Sequence, residues 1–371
     1  MTPENDIRVM APEDDILVRA REACDRRDAH RAETLYRKIL ATSPDSIRAL
    51  RGLEGALRLQ GRLGEANLVR DQANRIDAGH LIEAAQGLLK IGRVETALKA
   101  IRRALELDPT NDEALCALGD ICRSEGDFSS AIEAYSGVPK DSPLRPGATY
   151  LCDILSGRPP REVPSEEIPR PAPVHMIRDF LTGAECDALM AFTLSKRGGF
   201  DAARIRNGDY EPEARLSWMT DDTEAVQAWF LPKVKRLLPL VLKKLGLEPF
   251  EPKHFEVQIT AHNERNFYKV HRDTGESDEE QTSIRIVTFV YYFFKIPRKF
   301  SGGDLLLHSD VKDGLYAVSQ FTRITPRNNS IVFFPSRCWH QVTPVHCETS
   351  EFQDGRFTVN GWVLSAAGAG Q

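Results

Sequence analysis

Four alanines recur in the first part of the chain, Ala32, Ala66, Ala97 and Ala131, at spacings of 34, 31 and 34 residues. Their settings are alike: Arg-Ala-Glu-Thr-Leu-Tyr, Glu-Ala-Asn-Leu-Val, Thr-Ala-Leu-Lys-Ala-Ile and Ser-Ala-Ile-Glu-Ala-Tyr. Five residues before the last three stand Gly61, Gly92 and Gly126, and Arg27 takes that place in the first unit. Pro44 and Pro109 follow the first and third alanines by twelve residues, while the unit around Ala66 is short and lacks a closing proline. A small residue where two helices cross lets their backbones approach. Glycine permits the turn between them, and proline ends the second helix. Such a period restricts this region to helical hairpins that stack to bury a continuous core. The plainer alternative is a helical domain without true repeats.

Composition bounds the remainder. The 371 residues are 41% hydrophobic and 28% charged, as in globular chains rather than disordered or membrane-embedded ones. No apolar run reaches the length of a membrane span, and the polar start shows no basic segment leading into an apolar one. Seven cysteines without a CxxC pair point to reduced thiols and a cytoplasmic location. A net charge of −5 gives no ground for nucleic-acid binding through bulk charge, and no membrane partner is expected. Residues 1–15 read as a flexible acidic tail, 16–140 as helical repeats, 141–173 as a proline-rich linker and 174–371 as a second domain. Within the linker, Tyr150 to Leu155 reads as a last helical turn or cap.

The second domain reads as helices followed by strands. Val174 to Leu181 suits a strand, and Thr182 with Glu185 suits the capped start of a helix through Met190 and Phe192. Residues 193–222 look irregular, and a helical region from Thr223 to Leu245 should be interrupted at Pro232 and Pro239. From Lys253 onward the pattern is β. Eight runs, His254–Thr260, Phe267–His271, Ile284–Phe294, Asp304–His308, Tyr316–Ile324, Ser330–Phe334, His340–Pro344 and Phe357–Leu364, are separated by turn signals. The fold class expected is therefore α+β in two domains, a helical repeat domain and a double-sheet jelly roll with supporting helices.

His271 and Asp273 end one of these runs two residues apart, so their side chains share a face. His340 and Arg356 follow on later runs. Two histidines and a carboxylate form the facial triad that holds non-haem Fe(II) with positions left open. In this order and on these strands the constellation resembles the Fe(II)/2-oxoglutarate-dependent dioxygenases, and most of all their prolyl 4-hydroxylase branch. The resemblance covers about residues 174–366 and rests on Phe267-Tyr-Lys-Val-His-Arg-Asp273, Val287-Thr-Phe-Val-Tyr-Tyr-Phe293, Ser301-Gly-Gly-Asp304, Ser330 to Pro335 with Trp339 to Val342, and Gly355 to Trp362. The first half is similar to tetratricopeptide repeats, its best match running from Leu115 through Gly119, Gly126 and Ala131 to Tyr135.

The resemblance implies a double-stranded β-helix whose iron ligands are His271, Asp273 and His340. It makes Arg356 the residue that grips the far carboxylate of 2-oxoglutarate, a task that suits the planar guanidinium fork. Tyr292 would support it, with Tyr291 on the opposite face, and Tyr268 would stand at the pocket wall. No catalytic side chain beyond the metal ligands is implied. His308 and His346 are rivals to His340 as third ligand. Ala261 stands where some relatives carry a tyrosine, Asn360 where threonine is common, and Cys347 to Phe352 reads as an insertion. The acidic run Glu276 to Glu280 reads as a solvated loop or a lid, and Cys338 as incidental or as a thiolate beside the metal. The expected function is hydroxylation of a peptidyl residue, with proline favoured, coupled to decarboxylation of 2-oxoglutarate to succinate and CO2, with ascorbate as a reductant. The repeats would bind a protein or peptide partner. The alternatives are hydroxylation of a free amino acid or small metabolite, and a non-catalytic adaptor.

Overall fold

In the computed structural model, the turn positions of the repeats take the backbone conformation that glycine was expected to supply. Gly61 and Gly126 have φ of 72° and 80°, and Arg27, standing in the same place in the first unit, has φ of 60°. The description covers residues 12–91, 93–159, 171–205, 209–274, 283–310 and 316–366. Gly92, the tail before Pro12, the middle of the expected linker, the turn at Lys312 to Gly314 and the run Glu276 to Glu280 lie outside it.

Eight helices come first: α1 (Pro12–Asp25), α2 (Ala29–Thr42), α3 (Ile47–Leu59), α4 (Leu63–Lys90), α5 (Val94–Leu107), α6 (Asp112–Ser124), α7 (Phe128–Gly137) and α8 (Arg145–Leu155). The four repeat alanines are all fully buried. Where the closing proline is missing after Ala66, nothing stops the helix, and α4 runs on for 28 residues. Its second half occupies the place of the next unit's first helix. Apolar residues of α1, α2, α3 and the start of α4 share one core that includes Ala32, Tyr36, Leu53 and Ala66. Gly52 belongs to that packing, since a Cβ there would stand 2.1 Å from the Tyr36 ring. The chain forms two compact units, Met1–Leu118 and Gly119–Gln371. The end of α6, with α7 and α8, is thus counted with the strands.

The later elements are β1 (His175–Arg178), α9 (Gly183–Ser195), β2 (Asp201–Ala202), β3 (Arg215–Leu216), β4 (Trp218–Thr220), α10 (Glu224–Leu245), β5 (His254–His262), β6 (Phe267–His271), β7 (Ser283–Phe293), β8 (Phe300–Gly302), β9 (Leu305–Asp310), β10 (Tyr316–Ile324), β11 (Ser330–Pro335), β12 (His340–Val342), β13 (Val345–Cys347) and β14 (Arg356–Ala366). They form a seven-stranded sheet, β1-β11-β7-β14-β5-β4-β2, and a five-stranded sheet, β10-β9-β12-β6-β3, with β13 and β8 as a separate pair. Thr182 caps α9 through a reciprocal box with Glu185. The short strands β2, β3 and β4 fall in the stretch expected to be irregular, and they extend the edges of both sheets.

The expected interruption of α10 does not occur. Pro232 and Pro239 lie inside a continuous helix, both exposed. Seven residues apart, they fall on one side, opposite the stripe Val226, Phe230, Val234, Leu238, Val241 and Leu245 that packs on the large sheet. Carbonyls freed by the missing N–H groups therefore face water, which can solvate them.

Two substitutions probe this packing. Arg27→Gly should remove a left-handed backbone cost at a small loss of unfolded-state constraint and stabilise the repeats by about 0.5–1 kcal/mol, read as a higher Tm. Gly361 lies against Phe289, where an added Cβ would stand 2.1 Å from the ring. Gly361→Ala should overpack the helix-side core and cost about 1–3 kcal/mol in denaturant unfolding.

Candidate active site

A strand sends alternate side chains to opposite faces, and on the three central strands of the large sheet that parity sorts the residues cleanly. Val257, Ile259 and Ala261 of β5, Val287, Phe289, Tyr291 and Phe293 of β7, and Phe357, Val359 and Val363 of β14 all join the core under α9 and α10. The intervening residues face the other sheet. Register aligns them in rows: Arg356 opposite His262, Thr358 between Thr260 and Tyr292, Asn360 between Gln258 and Val290, and Trp362 between Glu256 and Thr288. Most of these residues line one cleft of about 890 Å³.

The small sheet supplies the opposing wall. β6 and β12 pair antiparallel with His271 directly opposite His340, and their rings lie 4.1 Å apart between centroids. Asp273 follows β6 and brings its carboxylate 3.8 Å from His271 Nε2 and 3.5 Å from His340 Nε2. The ligand atoms of the three residues lie within 4.8 Å of one another, the one such cluster among the described residues. Both imidazoles are oriented in the same way. His271 Nδ1 stands 2.8 Å from the carbonyl of Lys269 and His340 Nδ1 2.9 Å from that of Cys338. A carbonyl oxygen only accepts, so Nδ1 carries the proton and Nε2 offers its lone pair to the cleft. Burial, and then the neighbouring His340, push His271 down to about 3, so it is neutral. Burial alone would raise the Asp273 carboxyl, but His340, His271, the Trp362 indole and the Thr288 hydroxyl outweigh it and hold it below the usual range. Thr288 donates to Asp273 Oδ2 at 2.7 Å. Two imidazoles that present Nε2 and one carboxylate are a donor set suited to Fe(II) or a similar divalent ion.

Arg356 is 1% exposed, yet no carboxylate of a described residue pairs with it. Its Nη1 donates to His262 Nδ1 at 3.2 Å, and the guanidinium carbon stands 4.9 Å from the centre of the Tyr292 ring. Guanidinium has no acceptor, so His262 accepts at Nδ1 and carries its proton on Nε2. Burial, reinforced by Arg356, keeps His262 far below the ordinary histidine range and neutral. Arg356 Nε, His262 Nε2, Tyr292 Oη and Thr358 Oγ1 are all buried without a hydrogen-bond partner among the described residues. Orphaned buried groups are costly in a finished core. Three N–H or O–H donors grouped around an uncompensated cation fit a carboxylate ligand, as the far end of 2-oxoglutarate would provide.

Tyr268 stacks on His271 with ring centroids 3.5 Å apart. Tyr291 turns the other way, its hydroxyl donating to Asn329 at 3.0 Å. Of the rival histidines, His346 is exposed beside Glu264 and His308 is buried on β9, and neither joins the cluster. Ala261 is no part of the cleft wall. It belongs to the helix-side core, and on β5 the cleft position is His262. Cys338 is a fully buried thiol pushed up to about 12 by burial, and it serves the site through its carbonyl. The residues between Cys347 and Phe352 lead into a turn where Phe352 packs on Phe200 and Phe357.

Sequence inspection missed four residues of the cleft. Strand parity would have found Thr288 and Trp362, each an even step from a residue already singled out, and His262, which neighbours Ala261 and so takes the opposite face. Arg215 left no such signal, because it sits on a two-residue strand in the stretch expected to be irregular. It is 8% exposed, donates to Ser217 Oγ and the Arg204 carbonyl, and stands 4.8 Å over the Tyr268 ring.

Residues 257–364 match the 2OG-Fe(II) oxygenase superfamily, and residues 82–146 match the tetratricopeptide repeat. An uncharacterized PKHD-type hydroxylase of Synechocystis sp. is 35% identical over 201 residues, 54% of this chain and 65% of that protein. Cellulose synthase operon protein C of Pseudomonas fluorescens is 29% identical over 138 residues, 34% of this chain and 11% of that protein. This chain thus spans less than two thirds of either relative. Among solved structures, a Pseudomonas putida prolyl-4-hydroxylase is 20% identical with a TM-score of 0.37, over 52% of this chain and 94% of that one. The chain carries a 2OG-Fe(II) oxygenase domain similar to PKHD-type hydroxylases, together with tetratricopeptide repeats in its helical N-terminal region.

Proposed function

We propose that the protein is a 2-oxoglutarate-dependent dioxygenase that hydroxylates a peptidyl residue, with proline the favoured target. One observation carries the reading: a cluster of two histidines and a carboxylate shares its cleft with a buried arginine that has no ion-pair partner among the described residues. His271, Asp273 and His340 would hold iron. Arg356 would bind the far carboxylate of 2-oxoglutarate, joined by donors from His262 and Tyr292. When bound, iron with 2-oxoglutarate and dioxygen supplies the oxidising power for hydroxylating an unactivated C–H, with succinate and CO2 as co-products.

The chain's own residues orient and shield that chemistry. The Nδ1–H bonds to backbone carbonyls fix both imidazoles in the ligating tautomer. The Thr288 hydroxyl, itself tied to Ser336, limits rotation of the Asp273 carboxylate. Tyr268 covers His271 on the cleft side and would exclude water from the reacting carbon. The repeats, a motif that binds extended segments in other proteins, support a protein substrate over a free metabolite.

Purified protein with Fe(II), ascorbate and 2-oxoglutarate should release succinate, slowly even without substrate. A wild-type protein that neither binds Fe(II) nor consumes 2-oxoglutarate would refute the reading. His271→Ala and His340→Ala should abolish iron binding, whereas His346→Ala, at a side chain 64% exposed, should leave it intact. Loss in the last and not the second would reassign the third ligand. Thr288→Val should weaken metal affinity roughly 10- to 100-fold. Arg356→Ala should raise KM for 2-oxoglutarate by about 10- to 100-fold with iron affinity preserved. For the substrate, peptides co-purifying with the repeats should gain the mass of one oxygen atom, and hydroxylation confined to free amino acids would favour a metabolite instead.

A further inference from the structure

β10 is the outer strand of the small sheet, and the end of α6 with the turn after it lies along it. Arg123, 1% exposed, donates to Thr322 Oγ1 at 3.2 Å and to the Tyr135 hydroxyl at 3.3 Å. Arg323 Nε donates to the carbonyl of Ser124 at 2.7 Å. Gly126 sits so close that a Cβ there would stand 3.3 Å from the Arg323 carbonyl. The same arginine reaches inward. Its Nη1 donates to Asp304 Oδ2 at 2.7 Å, the two side chains being 26% and 13% exposed. Asp304 is also tied to the strand carrying His340: its N–H donates to Thr343 Oγ1, and its carbonyl accepts from the Thr343 N–H, both at 2.9 Å. Directly before Asp304, Gly303 lies against the Arg356 side chain, leaving no room for a Cβ, which would be 2.6 Å from Arg356 Cδ and 3.1 Å from Nε. Behind this point Tyr150 and Ile154 of α8 share a core with Tyr292 and Leu305.

We propose that Arg323 is a positioning residue for the co-substrate pocket: held by the Ser124 carbonyl, it anchors Asp304, and thereby seats Gly303 against Arg356 so that the guanidinium is set for the far carboxylate. The end of α6 is then part of the device that sets 2-oxoglutarate affinity. This rests on the reading of Arg356 given above. A rigid guanidinium fork bridging two fixed acceptors is suited to the task, because neither partner can move without the other. Displacement of a binding group by about 1 Å can cost up to 10²-fold, so the effect need not come from any contact with the ligand.

The test uses the full chain with Mn(II) in place of iron, so that nothing turns over, and measures Mn(II) and 2-oxoglutarate binding separately by calorimetry. Arg323→Ala should raise Kd for 2-oxoglutarate about tenfold or more, leave Mn(II) affinity within about twofold, and be partly rescued in Arg323→Lys, which keeps the charge beside Asp304. An Arg323→Ala protein that binds 2-oxoglutarate as wild type does, or that loses Mn(II) in equal measure, overturns the proposal. If Arg323→Ala does not fold, Asp304→Asn is read against the same two outcomes. Wild type that binds neither Mn(II) nor 2-oxoglutarate would sink the underlying assignment of the site; wild type that binds both beside an unaffected variant sinks this inference alone.

Discussion

The seven-stranded sheet has to satisfy two environments at once. Its outer face packs under α9 and α10, and its inner face lines a polar cleft. Because strand side chains alternate with a period of two, one register satisfies both: over Val257–His262 of β5, Val287–Phe293 of β7 and Arg356–Val363 of β14, odd-numbered residues face the apolar core under the helices and even-numbered ones face the cleft side. A slip of one residue would bury Arg356, His262 and Thr288 among phenylalanines and expose Phe289 and Phe357 to the cleft. The function-bearing face is therefore specified by the hydrophobic demand of the opposite one. This is a firmer constraint than any single polar contact in the site.

Within that frame the metal-binding group and the anion pocket are prepared differently. The histidines and Asp273 are fully engaged: each Nδ1 has a carbonyl, and the carboxylate has Thr288. Around Arg356 the reverse holds, since its Nε and three neighbouring groups have no hydrogen-bond partner among the described residues. A site that orients its ligating atoms and leaves its anion donors unsatisfied is organised for a ligand that brings charge with it. The tie from Ser124 through Arg323 and Asp304 extends this organisation to the end of α6.

Much of this was legible in the residues. The repeat period, the capped start of α9, most of the long strands and the pairing of His271 with Asp273 follow from local rules of periodicity and capping. The opposite facing of Tyr291 and Tyr292 follows from the same period. What was misjudged has identifiable causes. Pro232 and Pro239 suggested breaks, but both fall on the solvent side of α10, where the lost hydrogen bonds cost least. Ala261 occupies the place of a tyrosine in some relatives, but its parity on β5 assigns it to the core and His262 to the cleft.

Sequence alone determined most of the helices and long strands and the face each side chain of such a strand would take, because both are set by spacing along the chain. Tertiary structure alone decided which faces meet. The opposition of His340 to His271, the contact of His262 with Arg356 across more than ninety residues of chain, and the arrival of Arg215 over Tyr268 depend on sheet order and loop paths. None of these has a local signature. They arise because burying one face of each sheet leaves a single arrangement in which the polar residues of both share a cleft.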